Sequence, residues 1–456
     1  MPSHRSWAGS DSRCIGRAGL VLAAALGLLC AGSPRAEAQD PAIVVTPGDE
    51  RAFHAAVQLF KDEAAPASAE RAGELRRLIG EGMEYSGVLL PLADDAFLGE
   101  MQTQALSGRR RYDCADWAQG GADALVEGII RRKRQQLSVE YQVWDTARCR
   151  RIAEGTIEQP DSEMVRLGRL IADAVVKGFT GTAGVSGTEI AFISDRSGER
   201  EVWVMDADGG RQRAATRGDS IKSFPDWTPD GGAILYTSHQ RKKQPALFLT
   251  SRGDYRPGPI LTRILDDRPK YRGVFDPTGE NLALVTSLNG AAEIFRVDRR
   301  GRELRRLTRS GAIDISPSWS PDGTQIVFIS DRSGAPQLYI MNDEGGELRR
   351  LSFNGSYNTA PAWSPDGKWI VYETRVGGQF DIWLIDPSGE VNVPLVSHRR
   401  SDESPAWSPD SRKIAFSSTR RGKADIYVVD VNGENLRRLT ERQGVNLQPS
   451  WGPFAR

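Results

Sequence analysis

Histidine and cysteine are scarce in this chain, whose 456 residues contain four of each. The histidines after His4 (His54, His239 and His398) are far apart and have no metal-ligand spacing, and no Cys-x-x-Cys pair occurs. The sequence therefore predicts no metal site and no cofactor. Hydrolase elbow, P-loop and dinucleotide-binding motifs are also missing, so nothing in the sequence indicates these enzyme classes.

An excess of charge of one sign is absent as well. Sixty Lys and Arg residues balance 60 Asp and Glu residues, so composition gives no electrostatic case for a nucleic-acid partner. The mean hydropathy is −0.44, which is typical of a globular protein.

One long apolar run is present, and it lies near the N-terminus. Residues 1–38 resemble a secretory leader: basic residues precede an apolar run over 18–32, and an Ala-x-Ala site places cleavage between Ala38 and Gln39. The alternative is an uncleaved anchor, although the run is short for a membrane span. Cys30 raises a lipoprotein alternative, but the bulky Leu29 before it is a poor lipidation context. We expect an exported protein.

Export makes the remaining cysteines informative. Cys114 and Cys149 are the two cysteines left after leader removal. An even pair in an oxidising compartment is typical of one disulfide, and two buried free thiols are the alternative.

A repeat of about 44 residues organises the second part of the chain. Its anchor is an aromatic residue, usually within Pro-x-Trp-Ser-Pro-Asp-Gly, and the six anchors are Trp227, Phe275, Trp319, Trp363, Trp407 and Trp451. Each repeat reads as four strands with tight turns, which is typical of a propeller blade. The sequence therefore predicts an all-β six-bladed propeller over residues 182–456.

The propeller is predicted to close with its last strand. The repeat before Trp227 lacks a first strand, and residues 446–451 form a first strand with no repeat after it. Pairing of 446–451 with 189–194 would complete the sixth blade and remove the open sheet edges.

Residues 39–181 carry mixed helix and strand patterns. Apolar residues at helical spacing predict a helix over 68–83, Asp161 is a potential cap for a helix reaching Phe179, and strand-like runs lie between them. This segment is predicted to be an α/β domain that precedes the propeller.

The two faces of the propeller differ in their loops. The Ser-Pro-Asp-Gly turns repeat on one face, whereas the connectors between blades lie on the other and differ in every repeat. We call the latter the varied face and expect recognition there. Apart from Lys270, the connector residues Arg268, Tyr271, Arg272, Tyr357, Arg399 and Arg400 are of types that interfaces favour.

The whole pattern resembles the TolB family, the periplasmic component of the Tol-Pal cell-envelope system. The likeness is carried by the leader, the repeats, residues 117–128 (WAQGGADALVEG), residues 139–145 (VEYQVWD) and the ending QPSWGP over 448–453. The resemblance implies a monomeric, non-enzymatic adaptor in the periplasm that supports outer-membrane integrity and constriction during cell division.

The resemblance also implies two protein partners. The lipoprotein Pal would tie the protein peripherally to the outer membrane by binding the varied face, at positions three to six residues before the anchors: Lys222, Lys270, Tyr271, Arg272, Asp314, Ile315, Asn358, Thr359 and Asp402. TolA would bind the mature N-terminal segment by strand addition, through Asp40, Ile43, Val44, Val45 and Thr46.

Two alternatives use the same fold differently. A small-ligand or glycan-binding sensor, or a hydrolase-associated module, would require convergent carboxylates or histidines on the first strands. Those strands offer mainly Pro, Ser, Ala and Trp. The repeated Asp residues of the Ser-Pro-Asp-Gly turns are interpreted as turn residues.

Overall fold

The N-terminal part of the chain folds as one sheet covered by helices. The computed structural model describes residues 53–65, 69–93, 114–239, 244–252, 257–259, 268–287, 290–300, 303–441 and 443–454. The leader with its Ala38–Gln39 cleavage site and the predicted TolA segment (Asp40, Ile43, Val44, Val45 and Thr46) lie outside the described residues.

The elements before the propeller follow in a mixed order. They are β1 (Phe53–Val57), β2 (Lys61–Asp62), α1 (Glu70–Ser86), β3 (Leu89–Pro91), α2 (Cys114–Gln119), β4 (Ala124–Lys133), β5 (Gln136–Asp145), β6 (Arg150–Pro160) and α3 (Met164–Thr180). The strand order is β3-β1-β4-β5-β6, and β2 pairs with β4. The pairs among β3, β1 and β4 are parallel, whereas β4, β5 and β6 are antiparallel.

The two long helices form because their apolar residues recur at helical spacing. Leu75 and Ile79 of α1 and Ile171 and Val175 of α3 are fully buried in the core against the sheet. Both helices end at a glycine in the left-handed conformation, for which glycine has no steric penalty. Both predicted helices are therefore confirmed, with ends shifted by a few residues, but Asp161 lies in a 3-10 turn before α3 and does not cap it.

The strands of the propeller are short and regular. They are β7 (Glu189–Ser197), β8 (Glu199–Asp206), β9 (Arg213–Ala214), β10 (Ile221–Trp227), β11 (Ala233–His239), β12 (Ala246–Ser251), β13 (Pro257–Pro259), β14 (Lys270–Phe275), β15 (Asn281–Ser287), β16 (Ala292–Asp298), β17 (Leu304–Arg306), β18 (Asp314–Trp319), β19 (Gln325–Ser330), β20 (Gln337–Asn342), β21 (Arg349–Arg350), β22 (Asn358–Trp363), β23 (Ile370–Val376), β24 (Gln379–Ile385), β25 (Asn392–Val396), β26 (Asp402–Trp407), β27 (Lys413–Ser418), β28 (Asp425–Asp430), β29 (Arg437–Arg438) and β30 (Asn446–Trp451).

Six four-stranded antiparallel sheets result, and the last strand closes the ring. Blades one to five take consecutive strands from β10 to β29, and blade six has the order β30-β7-β8-β9. Trp451 pairs with Ile190, and its indole Nε1 donates to Thr188 Oγ1 at 2.8 Å. The predicted closure by the C-terminal strand is confirmed.

The repeated motif builds both a turn and a contact between blades. In the turn that follows Trp319, the Ser320 hydroxyl donates to the carboxylate of Asp322 at 2.5 Å, and the same bond recurs in other blades. The indoles of Trp319 and Trp407 donate to carbonyl groups on the first strand of the preceding blade, at 3.3 and 3.0 Å. The repeated Asp and Trp residues therefore have structural roles.

The helices of the N-terminal part also contact the propeller. Tyr85 at the end of α1 donates its hydroxyl to the carbonyl of Ala207 at 2.7 Å, and Arg169 of α3 pairs with the buried Asp206. The described residues from Phe53 onward accordingly cluster as one compact unit. Among the helices in the described ranges, none is both long and apolar enough to cross a bilayer.

Candidate protein-binding face

The first strands of the six blades contact one another in a closed circle and surround the space that we call the lumen. Each first strand begins at the varied face and ends at its aromatic anchor. Three residues before every anchor, the backbone enters the left-handed region and the pairing register shifts. The residues at this bulge are Phe224, Arg272, Ser316, Ala360, Ser404 and Gln448.

The position five residues before each anchor, which we call the latch position, is buried in all six blades. Its occupants are Lys222, Lys270, Asp314, Asn358, Asp402 and Asn446. The first five were predicted to contact Pal. Their side chains are buried in this structure, so the Pal contact at these five positions stays a prediction.

Arginine clamps hold the latch position in blades three, five and six. In blade three, Arg332 donates from Nη2 to Asp314 Oδ1 at 2.9 Å and from Nε to Ser330 Oγ at 2.7 Å. Its guanidinium also lies 4.9 Å from the ring centre of Tyr339. A planar guanidinium can stack on a ring while its edge binds a carboxylate, so this geometry suits Arg and not Lys.

Other latch residues bond to the preceding blade. Asn358 donates from Nδ2 to Gln337 Oε1 at 2.8 Å, and Asn446 donates to Asp425 Oδ1 at 3.1 Å. Lys222 reaches Glu201 Oε1 at 2.7 Å. In each pair the residues are 21 positions apart, so the latch residues of blades one, four and six each join their blade to the preceding one.

In blades one, three and four, the residue that precedes the latch position by one, six residues before the anchor, is exposed on the varied face. Ile221, Ile313 and Tyr357, each six residues before an anchor, are exposed. Phe353 (70% exposed) and Val376 (40%) lie in the connector and the hairpin turn of the same face. Four further large apolar side chains are exposed at or beside the fourth strands, those of Leu304, Leu348, Val391 and Leu436. A contiguous group of exposed apolar side chains is typical of an interaction site.

The apolar side chains concentrate around blade four. The ring of Tyr357 meets the ring of Phe380 edge-on at 5.8 Å, and the Tyr357 carbonyl accepts from the backbone N–H of Arg375, beside Val376. Phe353 belongs to the same connector and lies under the guanidinium of Arg350 at 4.9 Å. We call Phe353, Tyr357 and Val376 the blade-four rim.

Four of the predicted contact residues remain accessible. Tyr271, Arg272, Ile315 and Thr359 are half-buried and lie beside or within the bulges. Tyr357 was also identified from the sequence, whereas Ile221, Ile313, Phe353 and Val376 were missed. Because the burial of the latch residues depends on the neighbouring blades, alternation along the first strand identifies Ile221 and Ile313 as exposed only once the blades are placed side by side.

Among the described residues, Asp226 and Glu373 lie within electrostatic reach of Arg272 at the lumen. Arg272 donates from Nη1 to Ser316 Oγ at 2.8 Å, and its guanidinium lies 5.4 Å from the ring centre of Phe224. Burial raises the pKa of Asp226 and of Glu373 to about 7, and the charge of Arg272 opposes both shifts.

The N-terminal part contributes a disulfide. Cys114 at the start of α2 is bonded to Cys149 in the β5–β6 turn, with their Cα atoms 5.3 Å apart. Trp117 of α2 is buried with Ala56 and Leu125, so the bond secures a helix that covers part of the sheet. In the described ranges, no group of three or more His, Cys, Asp or Glu side chains could hold a metal ion.

Comparison with known proteins adds family information to this geometry. The family model described as the TolB amino-terminal domain matches residues 41–152, and the one described as the TolB beta propeller domain matches residues 176–455. The Tol-Pal system protein TolB of Anaeromyxobacter dehalogenans (strain 2CP-1) is 33% identical over 305 residues, which are 66% of this chain and 67% of the relative.

Two further proteins show similar relationships. The TolB homolog of Chlorobium luteolum is 34% identical over 258 residues, or 57% of each chain. The crystal structure of TolB from Acinetobacter baumannii superimposes with a TM-score of 0.72 at 22% identity, covering 89% of this chain and 97% of that one. This superposition shows the shared fold.

Proposed function

This chain belongs to the TolB family, and we propose on that premise that it is a non-enzymatic periplasmic adaptor of the Tol-Pal system. It binds Pal through the varied face and TolA through its mature N-terminus, and so supports outer-membrane integrity and constriction during division. Its relative in Anaeromyxobacter dehalogenans carries the system's name, which supports this assignment. The leader predicted over residues 1–38 would deliver it to the periplasm.

The observation that carries the Pal assignment is the exposed blade-four rim. Phe353, Tyr357 and Val376 give the varied face an apolar centre, and aromatic residues are enriched where interfaces concentrate their binding energy. The half-buried Tyr271, Arg272, Ile315 and Thr359 line the inner side of the same face. We therefore propose the rim and these four residues as the Pal footprint.

The TolA assignment depends on a different segment. Asp40, Ile43, Val44, Val45 and Thr46 precede the described residues, and their β-branched centre suits addition as a strand to a partner's sheet. Main-chain hydrogen bonds would supply affinity, and alternate side chains would supply specificity.

A binding assay with matched variants tests both assignments. Phe353→Ala with Tyr357→Ala should weaken capture of lipid-free Pal at least tenfold, while deletion of residues 40–46 should abolish TolA capture and leave Pal capture intact. Leu348→Ala, at an exposed apolar residue on the start of a fourth strand, is the control. Unchanged Pal capture by the rim variant would reject this footprint, and failure of the wild-type protein to bind either partner would reject the adaptor function.

A further inference from the structure

Arg272 makes fewer hydrogen bonds than four other enclosed arginines of the propeller. Arg196 donates to side-chain oxygens of Ser194, Gln212, Gln443 and Asn446. Arg332, Arg420 and Arg438 each pair with a carboxylate, Asp314, Asp402 and Asp425 in turn. Within the described residues, Arg272 forms no ion pair, and its guanidinium makes one hydrogen bond, to Ser316 Oγ. A guanidinium has five N–H donors, so most of the donors of Arg272 have no acceptor among the described residues.

The acids of the lumen are engaged elsewhere. Asp226 accepts from Ser450 Oγ at 3.3 Å, and Glu373 accepts from the backbone N–H of Ser404 at 2.6 Å. Both carboxyl groups lie within electrostatic reach of Arg272 but form no ion pair with it. The guanidinium is therefore held in place by Ser316 and the Phe224 ring, and its open edge is left for an external acceptor.

We propose that Arg272 binds a carboxylate side chain, Asp or Glu, carried on a loop of the protein that docks on the varied face. This inference rests on the proposed function, because the docking protein there is Pal. A carboxylate matches the guanidinium edge through two parallel hydrogen bonds, which a neutral amide cannot do. It also supplies a hydrogen-bonded countercharge, which neither Asp226 nor Glu373 provides to Arg272.

The depth of the site explains why a loop is needed. Arg272 lies three residues before its anchor, whereas the exposed Ile313 and Tyr357 lie six before theirs. The difference of three residues along a first strand is about 10 Å at the usual rise per residue. A flat partner surface would touch Tyr357 and Ile313 without reaching this depth. The lumen contact would therefore add specificity to an interface whose apolar contacts lie at the rim.

The chain offers a well-matched variant for the test. Gln448 occupies the same bulge position in blade six with φ of 51°, so Arg272→Gln places a residue that the repeat already accepts there. Arg272→Lys keeps the charge but removes the planar edge, and Arg300→Gln in an exposed turn of the opposite face controls for net charge. Affinity for lipid-free Pal would be measured by calorimetry, and folding by thermal melting.

We expect Arg272→Gln to weaken Pal binding at least tenfold, Arg272→Lys at least threefold, and Arg300→Gln less than twofold. Each Asp of Pal would be replaced by Asn and each Glu by Gln. One of these Pal variants should bind the wild-type protein more weakly but bind the Arg272→Gln protein with the same affinity as unmodified Pal. Wild-type affinity in both Arg272 variants, or no such variant of Pal, would overturn the lumen site while leaving the adaptor function in place. If the Phe353→Ala, Tyr357→Ala variant loses Pal binding while both Arg272 variants keep the wild-type affinity, the rim is the binding site and the lumen site is overturned.

Discussion

The Nζ of Lys222 lies 2.7 Å from Oε1 of Glu201, and the two side chains, 4% and 5% exposed, join blade one to blade six. Removing one charge from a buried pair leaves the other without compensation. We predict that Lys222→Met lowers the free energy of unfolding by about 3–5 kcal/mol, measured by urea denaturation.

The double variant Lys222→Met with Glu201→Gln is the control for this prediction. It removes both charges and keeps an acceptor for the Thr216 hydroxyl, which lies 2.5 Å from Glu201. It should recover most of the lost stability, because a neutral pair needs no countercharge. A stable Lys222→Met protein that binds Pal poorly would instead return Lys222 to the interface.

The latch position could not be predicted from the sequence, although the blades that it joins could. The aromatic anchors and the unpaired strand before Trp451 predict the blades and the closure, because these features recur at a fixed spacing. The direction of a polar side chain at the start of a first strand depends on the neighbouring blade, which supplies Glu201 to Lys222 and Gln337 to Asn358. The 21-residue separation of these pairs is visible in the sequence, but it acquires meaning only once the blades are placed side by side.

The rim was only partly predictable for a related reason. Tyr357 was identified by its residue type, whereas Ile313 and Val376 look like strand residues in the sequence. Ile313 is exposed because it precedes the first residue of β18, and Val376 is exposed because it is the last residue of β23, at the turn into β24. The lumen environment of Arg272 involves three first strands that are far apart along the chain, and no local pattern records it.

Glu373 should make stability depend on pH. Burial raises its pKa from 4.5 to about 7, so its contribution is fully present below pH 4.5 and is lost as the pH rises to 7. At about 1.4 kcal/mol per pKa unit, this amounts to roughly 3 kcal/mol. Glu373→Gln keeps an acceptor for Ser404 and should gain up to that amount relative to wild type between pH 5 and pH 8, measured by urea denaturation. An equal difference at both pH values would contradict the raised pKa.

The disulfide should stabilise the N-terminal part and leave the propeller unchanged. Cys114 and Cys149 are 35 residues apart, and closing a loop of that length is worth about 3–4 kcal/mol in the chain-entropy estimate. The double Cys→Ser variant should therefore expose Trp117 at lower urea concentration, followed by its fluorescence and by exchange of amides in α2. A thiol reductant should reproduce this loss in the wild type and have no effect on the variant. Identical unfolding of the two proteins under oxidising conditions would show that the bond contributes nothing.

Trp451 allows a test of ring closure with an internal control. Trp407 and Trp451 are both 7% exposed, and truncation of either to Ala should cost about 3–5 kcal/mol. Of the two, only Trp451 lies in blade six, which joins the last strand, β30, to β7 at the start of the propeller. Trp451 pairs with Ile190 of β7 and donates to Thr188. Trp451→Ala should therefore accelerate hydrogen exchange at Ile190 to Ser194, whereas Trp407→Ala should loosen its own blade and leave that strand protected. Equal protection of β7 in both variants would mean that the tryptophan is not what holds the last strand, and that the backbone pairing of Asn446 and Leu447 with β7 is sufficient.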